Sequence, residues 1–464
     1  MKIELAKTEV IHFVGIGGIG MSGLSMIMKG MGFNVQGSDI SNNKNIDRLK
    51  KNKIKILIKH RKTNIEKATI LVISSAIKKN NPELIEARRK QIPIYKRGEM
   101  LAHIVSLTKN IVVIGSHGKT TTTSLLDAIF SKTKLDPTII NGGVLNSLKN
   151  SAKLGKSDWC VLEADESDGS FIHVSPTYAI VTNIDREHMD FYKSMSDLKN
   201  LFVKFINKVP SFGKSFICID DKNNVELLKK LKAKNYYTYG INPKSQFYIK
   251  NIRQLKEYSE YDLSIKLPGK KNILINKIKI PLLGVHNIRN ATAAVAVASA
   301  IGISNEIIKK GLKEFKGVQR RFNKIFTYRD ATFYDDYAHH PTEIKEVLNG
   351  VRAAYKKEEI ICVFQPHRIS RLKDLKKEFS LSFKKADVVI LCPIYAAGEK
   401  IKLGFSYNNF AKEIIKNSKV KLFLINDQYQ LAKYIKSSIY GKKIIIGMGA
   451  GTISSWMREL PKLI

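Results

Sequence analysis

Residues 110–123 read Asn110-Ile111-Val112-Val113-Ile114-Gly115-Ser116-His117-Gly118-Lys119-Thr120-Thr121-Thr122-Thr123. An apolar run, two glycines, a lysine and a row of hydroxyls lead into a segment that continues to Phe130. That order predicts a strand, a phosphate-cradling loop and a helix. Backbone amides of such a loop hold phosphate oxygens, Lys119 reaches the β and γ phosphates, and the Thr120 hydroxyl is a candidate Mg²⁺ ligand. The spacing departs from GxxxxGK[ST]: the early glycine is Gly115, three before Gly118, where the standard loop would have it at Val113. A loop of this kind sits between a strand end and a helix N-terminus, so the stretch points to an α/β fold with a parallel sheet.

The same alternation extends in both directions. Towards the N-terminus, the apolar run Val10 to Ile16, a glycine turn, a Met-rich helical stretch from Met21 to Lys29 and Phe33 to Val35 read as a β-α-β unit. Ile70 to Ser74 adds a strand, and Arg97-Gly98-Glu99-Met100-Leu101 begins a helix that leads out of this unit. Beyond the phosphate loop come strands at Trp159 to Leu162 and Tyr178 to Thr182. Two alternating runs, Tyr261 to Leu267 and Ile273 to Ile280, are separated by Pro268-Gly269 and read as a β-hairpin. An Ala-rich helix covers Asn287 to Ile301. After Gly317-Val318, strands at Thr332 to Tyr334, Ile360 to Phe364, Val388 to Leu391, Lys421 to Leu424 and Lys443 to Ile446 alternate with amphipathic helices. The expectation is three α/β units in series, 1–107, 108–318 and 319–464.

Bulk composition agrees with a folded chain. Of the 464 residues 44% are apolar and 9% aromatic, the ordinary globular range. Lys2, Glu4, Lys7 and Glu9 break any apolar leader, and no run of about 18 apolar residues occurs, so a cytoplasmic protein without membrane insertion is expected. Cys160, Cys218, Cys362 and Cys392 are far apart, with no CxxC pair to suggest a disulfide framework or a zinc site. The formal charge of +38 would suit a nucleic-acid partner, but the lysines are scattered along the whole chain rather than gathered in one stripe. No nucleic acid is expected as a partner.

Several further clusters fall at strand ends. Gly15-x-Gly17-x-x-Gly20, with Asp39 about 20 residues on, satisfies the dinucleotide fingerprint, yet its physical content is only a diphosphate held by amides at a helix N-terminus. Glu163-Ala164-Asp165-Glu166-Ser167-Asp168 ends an apolar strand in carboxylates, as a Mg²⁺-holding segment does, although an acidic group after a strand is also a common solvated turn. In Thr182-Asn183-Ile184-Asp185-Arg186-Glu187-His188-Met189-Asp190, His188 reads equally as ligand or surface histidine. Gly284-Val285-His286-Asn287-Ile288-Arg289-Asn290 offers asparagines that can pair with adenine or cap the adjoining helix. In the third unit, Asp335-Asp336-Tyr337-Ala338-His339-His340-Pro341 and Gln365-Pro366-His367-Arg368-x-x-Arg371 end successive strands, and the two arginines form a possible carboxylate clamp. Six of the ten histidines lie in these motifs, which favours sites over scatter.

Taken in order, Gly15 to Gly23, GSHGKTTTT, EADESDGSF, TNIDREHMD, GVHNIRN, QRRF, DDYAHHPTEI and PHRISR resemble the Mur ligase family over essentially the whole chain. The resemblance implies a Rossmann-like N-terminal domain, a central P-loop ATPase-type domain and a Rossmann-like C-terminal domain that closes over it. It implies ATP and Mg²⁺ as cofactors and UDP-N-acetylmuramate and L-alanine as substrates. Gly15, Gly17, Gly18, Gly20, Asp39, Ser74 and Ser75 would hold the UDP-sugar. Gly115, Ser116, His117, Gly118, Lys119, Thr120, Thr121, Asn290, Arg321 and Asp336 would hold ATP, with Thr120, Glu163 and His188 on the metal. His339, Arg368 and Arg371 would surround the amino acid, and Lys119, His188, Arg321 and His339 would serve the chemistry. Ala338 stands where the family usually has glycine, a trait of the relative that attaches a whole tripeptide. The stretches Gly18 to Gly23 and Pro341 to Ile344 favour the alanine enzyme.

The resemblance thus implies an ATP-dependent ligation in peptidoglycan precursor synthesis. The lactyl carboxylate attacks the γ phosphate, and the amine of L-alanine then displaces phosphate from the acyl phosphate. An NAD-dependent oxidoreductase would explain the first glycine loop but leave GKTTTT and EADESD without a role. A nucleic-acid-stimulated ATPase is the other rival. The resemblance sets no oligomeric state beyond a monomer or weak dimer.

Overall fold

The computed structural model describes residues 8–464 apart from 75, 147–149, 168, 190, 401 and 403, and the side chains of 143–145, 150 and 151 are likewise left aside. Ser75, Asp168 and Asp190 of the sequence motifs therefore lie outside the described residues. By compactness the chain divides into two units: Met1–Lys250, Asp262–Ile278 and Arg289–Lys316 form one; Asn251–Tyr261, Lys279–Ile288 and Gly317–Ile464 form the other.

The first sheet contains β1 (Val10–Val14), β2 (Asn34–Asp39), β3 (Lys55–Ile58), β4 (Ile70–Ile73) and β5 (Ile94–Lys96), all parallel in the order β3-β2-β1-β4-β5. β1 is central, and Ile11 through Val14 are fully buried, as expected of a parallel strand covered on both faces. The helix Ile19–Gly30 buries Met21, Leu24, Ile27 and Met28, the three- and four-residue spacing of one helical face.

Ten strands make the second sheet: β6 (Lys109–Ile114), β7 (Thr138–Leu145), β8 (Asn150–Lys153), β9 (Trp159–Glu163), β10 (Tyr178–Val181), β11 (Lys214–Cys218), β12 (Tyr236–Gly240), β13 (Phe247–Gln254), β14 (Ser259–Ile265) and β15 (Ile273–Ile280). Their order is β15-β14-β13-β12-β11-β10-β6-β9-β7-β8. β6 lies between β9 and β10 and is parallel to both, so the segments that leave these three strands emerge at one edge. The predicted hairpin strands β14 and β15 are neighbours at one end of the sheet. The helix Val285–Ala300 is buried nearly all round, from Ile288 through Ala298, because alanines let neighbouring backbone approach closely.

The third sheet, in the second unit, runs β16 (Asn323–Tyr328), β17 (Ala331–Asp336), β21 (Lys443–Met448), β18 (Glu359–Phe364), β19 (Val388–Leu391) and β20 (Lys421–Leu424). Only β16 is antiparallel, paired to β17. Phe364, Phe379, Phe383, Leu348 and Met448 pack one face, and Phe333, Ile390, Leu431 and Met457 the other. Among the described residues no helix is long and apolar enough to cross a membrane. All four cysteines are free and buried, and burial pushes the Cys160, Cys218 and Cys392 thiols up to about 12, so each stays protonated.

Candidate active site

The loop expected to cradle phosphate is built at the C-terminal end of β6, and its two glycines are required by geometry. Gly115 has φ +134° and Gly118 φ +84°, conformations that side chains rarely adopt. A Cβ on Gly115 would lie 2.0 Å from Thr182 Oγ1, and one on Gly118 would lie 2.4 Å from Asn290 Oδ1. The buried Asn290 is therefore packed directly on the loop. Residues after β10 hold the loop in shape. Ser116 N donates to Asn183 O at 3.0 Å, His117 N to Asn183 Oδ1 at 3.0 Å, and Asp185 N to Ser116 Oγ at 2.8 Å. Thr182 Oγ1 donates to His117 O at 2.7 Å, and His117 Nε2 lies 3.1 Å from Asp185 Oδ2.

Lys119 opens the helix Lys119–Phe130 and curls back over the loop. Its Nζ donates to Gly115 O at 2.6 Å, Ser116 O at 3.3 Å and Glu166 Oε2 at 2.7 Å. Burial alone would lower its pKa, but the carboxylates of Glu166, Asp165 and Glu163 outweigh that and hold the ammonium above its usual range. Glu166 is itself pushed up to about 7, first by burial and further by Asp165 and Glu187, against the pull of Lys119. One ammonium among this many carboxylates leaves local negative charge in excess, the condition for a bound cation.

The predicted metal residues form two groups. Thr120 Oγ1 donates to Glu163 Oε1 at 2.9 Å, while Gly142 N donates to Glu163 Oε2 at 2.6 Å. His188, held at φ +56°, instead places Nε2 3.7 Å from Glu166 Oε1. Among the described residues Glu166 Oε1 is buried with no hydrogen-bond partner, and Asp165, Glu166 and His188 each present a ligand atom within 4.8 Å of the others. An orphaned carboxylate oxygen beside a second carboxylate suits a hard divalent ion such as Mg²⁺. Thr121 is buried on the first turn of the same helix.

In the first sheet the glycine loop closes at the end of β1. Gly15 N and Ile16 N both donate to Ser38 O, at 2.9 and 3.0 Å. Asp39 Oδ2 accepts from Gly17 N at 2.8 Å and so braces the loop itself. Gly18 caps the helix Ile19–Gly30, and Ser74 abuts Gly15, where a Cβ would sit 3.2 Å from that of Ser74. Arg97 lies over Gly20, its Nη1 2.9 Å from where a Cβ would be. A cation at the glycine loop is the counter-charge a diphosphate needs.

In the second unit the side chains gather at the C-terminal ends of β17, β18 and β19. Both oxygens of buried Asp336 are engaged by backbone: Phe322 N donates to Oδ2 and Ala338 N to Oδ1, each at 2.8 Å. Burial raises Asp336 to about 6 despite the nearby Arg321. Arg321 packs over the Tyr337 ring at 5.4 Å and lies 3.7 Å from Glu343 Oε1. His339 Nδ1 is 2.9 Å from Tyr337 O and 3.3 Å from Glu343 Oε2; both oxygens accept, so Nδ1 carries a proton, and in the neutral ring the lone pair is on Nε2. His367 stacks on Tyr395 at 5.6 Å, and burial, reinforced by His339 and two arginines, lowers its pKa to about 4. Arg371 Nη1 donates to His367 O at 3.2 Å, and Arg368 Nε lies 3.3 Å from Glu399 Oε1.

Three family models match in succession: "Mur ligase family, catalytic domain" over residues 10–109, "Mur ligase middle domain" over 113–298 and "Mur ligase, glutamate ligase domain" over 320–451. A UDP-N-acetylmuramate--L-alanine ligase from Pelagibacter ubique (strain HTCC1062) is 82% identical over 464 residues, all of both chains. The chain belongs to the Mur ligase family. A second UDP-N-acetylmuramate--L-alanine ligase, from Bartonella bacilliformis, is 39% identical over 100% of this chain and 97% of its own. The crystal structure of the Thermotoga maritima UDP-N-acetylmuramate-alanine ligase superposes with a TM-score of 0.78 at 25% identity, covering 97% of this chain and 98% of that one. A murein peptide ligase from Psychrobacter arcticus shares the fold, with a TM-score of 0.68 at 22% identity and 98% coverage of both. The α/β architecture expected from the sequence is that of the Mur ligase fold.

Sequence reasoning leaves four residues of these sites unassigned. Glu166 stands inside the acidic motif, but spacing along the chain does not say which of its carboxylates turns towards Lys119. Arg97 is visible only as a helix start. Tyr395 and Glu399 carry no motif signal, since they come after β19 in a stretch that reads as an ordinary loop.

Proposed function

We propose that the protein joins L-alanine to the lactyl carboxylate of UDP-N-acetylmuramate at the expense of ATP, releasing ADP and phosphate. The observation that carries this reading is Lys119, a charged lysine held on a phosphate loop by Glu166 with Glu163 and Asp165 close by. The full-length kinship to ligases of that name supplies the substrates.

In this reading residues 1–107 take the UDP-sugar, 108–318 take ATP, and 319–464 take the amino acid. Gly15, Gly17, Gly18 and Gly20 present amides to the diphosphate, with Asp39 bracing the loop, Ser74 alongside and Arg97 as counter-charge, and Ser75 is a further contact proposed from the family resemblance. Gly115 to Thr121 cradle the ATP phosphates, Asn290 meets the adenine, and Arg321 and Asp336 serve the nucleotide. Thr120 and Glu163, with His188, Glu166 and Asp165, would hold Mg²⁺, which supplies charge neutralisation on phosphate oxygens. Lys119 neutralises the γ phosphate as the lactyl carboxylate approaches, since two anions must meet. The carboxylate forms a bond to phosphorus, ADP leaves, and an acyl phosphate results.

Arg368 and Arg371 hold the alanine carboxylate. His339, with its lone pair on Nε2, accepts the proton that the attacking amine loses. Phosphate is expelled and the amide remains. Buried, protonated cysteines accord with placing the reaction in the cytoplasm. The test is phosphate release on mixing enzyme, ATP, Mg²⁺, UDP-N-acetylmuramate and L-alanine. Release that requires all three substrates supports the reading; NADH oxidation without phosphate release would sink it.

A further inference from the structure

Beside the arginine pair, Glu399 is a carboxylate that the proposed reaction does not use. It comes after β19, whereas the arginines come after β18, and it reaches across from one loop to the other. Oε1 accepts from Ser370 Oγ at 2.6 Å and lies 3.3 Å from Arg368 Nε; Oε2 accepts from Ser370 N at 3.0 Å. The two loops are also joined through backbone, with Arg368 N donating to Tyr395 O at 2.9 Å and Tyr395 N to Pro366 O at 2.8 Å. Glu399 closes its own turn through a bond from its N–H to Ala396 O, and that turn places Ala397 and Gly398 at φ +52° and +83°. The side chain of Glu399 is only 14% exposed, so its contacts are sheltered from water.

Arg368 is under comparable constraint. It has φ +70°, in the left-handed region, immediately before the helix Ile369–Asp374. Its backbone is therefore fixed in an uncommon conformation, and the ion pair with Glu399 fixes its side chain by one edge of the guanidinium. A planar fork recognises a carboxylate only when its rotation is set. Charge matters as well. Arg368 and Arg371 repel each other, and His367, lowered to about 4, adds no charge near neutrality. The Glu399 carboxylate offsets one of the two positive charges, leaving a net charge suited to one substrate carboxylate.

We infer that Glu399 is a positioning residue for the amino-acid substrate, orienting Arg368 and tying the loop after β19 to the loop after β18. The inference rests on the assignment of this pocket to the amino acid. It does not make Glu399 a group that touches the reacting atoms.

The experiment uses the full-length enzyme with initial-rate phosphate release. Michaelis constants are measured separately for L-alanine, ATP and UDP-N-acetylmuramate in the wild type, Glu399→Gln and Glu399→Ala. Gln keeps an oxygen for Ser370 and loses the charge; Ala loses both. The expected result is a KM for L-alanine raised about 10-fold in Gln and more in Ala, with kcat within about threefold and the other two KM values unchanged. Ser370→Ala, a milder change at the same contact, should shift the alanine KM in the same direction and keeps the test open if Glu399→Ala fails to fold. An unchanged alanine KM in all variants, or an equal change for all three substrates, overturns the positioning role. A wild type that fails to turn over L-alanine overturns the functional assignment instead, so the two failures are distinguishable.

Discussion

Replacing Lys119 by Met keeps an unbranched side chain, one atom shorter, and removes its charge, and the contacts of Nζ allow the consequences to be worked out. The ammonium is placed where negative charge develops as carboxylate meets γ phosphate. Losing one such preorganised group costs about 3–4 kcal/mol of transition-state stabilisation, or about 10²–10³-fold in rate. Stability responds separately. Glu166 Oε2 loses a 2.7 Å partner in a buried site, and breaking a buried ion pair costs about 3–5 kcal/mol when the remaining charge cannot be neutralised. Glu166 stands at about 7 even with Lys119 present, so in the variant it takes up a proton near neutral pH and the cost falls to about 1–3 kcal/mol, that of hydrogen bonds left unmade. Linkage sets the sign. A carboxyl with its folded pKa raised above the ordinary 4.5 contributes fully at low pH and loses that contribution as pH rises through the folded value. Without added Mg²⁺, the stability gap between wild type and variant should therefore widen from pH 6 to pH 9 in denaturant melts. Phosphate release should fall about 10³-fold, and calorimetric binding of UDP-N-acetylmuramate should stay within about twofold. Activity within tenfold of wild type, or loss of UDP-sugar binding, would refute the role given to Lys119.

Other outcomes arise from close approaches and buried charges. In Gly142→Ala the new Cβ would lie 2.7 Å from Glu163 Oε1, so the carboxylate must leave Thr120; kcat/KM for ATP should drop about 10–100-fold in steady-state assays. Gly118→Ala combines φ +84° with a 2.4 Å clash at Asn290 Oδ1, and should weaken ATP binding while leaving UDP-sugar binding intact, as read by titration calorimetry. Asp336 is raised by burial from its ordinary 3.8 to about 6, so its contribution is full below about pH 4 and is lost as pH rises to about 6, a change of roughly 3 kcal/mol. Asp336→Asn should remove that slope from the pH profile of stability, a difference that unfolding curves between pH 4 and pH 7 would register.

The parts of the fold that are legible in the sequence share a physical cause. Val388–Leu391 is legible to the residue, and the core strands Val10–Val14 and Lys109–Ile114 to within two, because buried parallel strands are largely apolar runs; the edge strand Lys421–Leu424 is mostly exposed yet legible to the residue from its apolar Leu422 to Leu424. β13 escapes, since Phe247–Gln254 carries Lys250, Asn251 and Arg253 after Ile249, where no residue is fully buried, and its apolar signal is diluted. β3, which begins at the end of the lysine-rich stretch 50–55, and the three-residue β5 escape; both are edge strands without a fully buried residue. The strand, glycine loop and helix at 109–130 are where the motif predicts them, with Asn290 packed on the loop, but motif spacing is silent on direction. Asp39, expected beside the ligand, accepts from Gly17 N–H, and Glu166, to which the motif assigns no role, holds Lys119. The Glu399 contact depends on two loops meeting after different strands, a long-range pairing that no local pattern encodes.

At the centre of the proposed function, a carboxylate activated by ATP is captured by the amine of L-alanine. Its most direct test is the product itself: purified enzyme with ATP, Mg²⁺, UDP-N-acetylmuramate and isotopically labelled L-alanine, then mass spectrometry of the nucleotide-sugar and parallel measurement of ADP. The predicted result is one labelled alanine per UDP-sugar in an amide bond, formed one-for-one with ADP and absent when any substrate is withheld. ADP formation without label in the UDP-sugar, or label-free turnover that accepts only a preformed tripeptide, would contradict it.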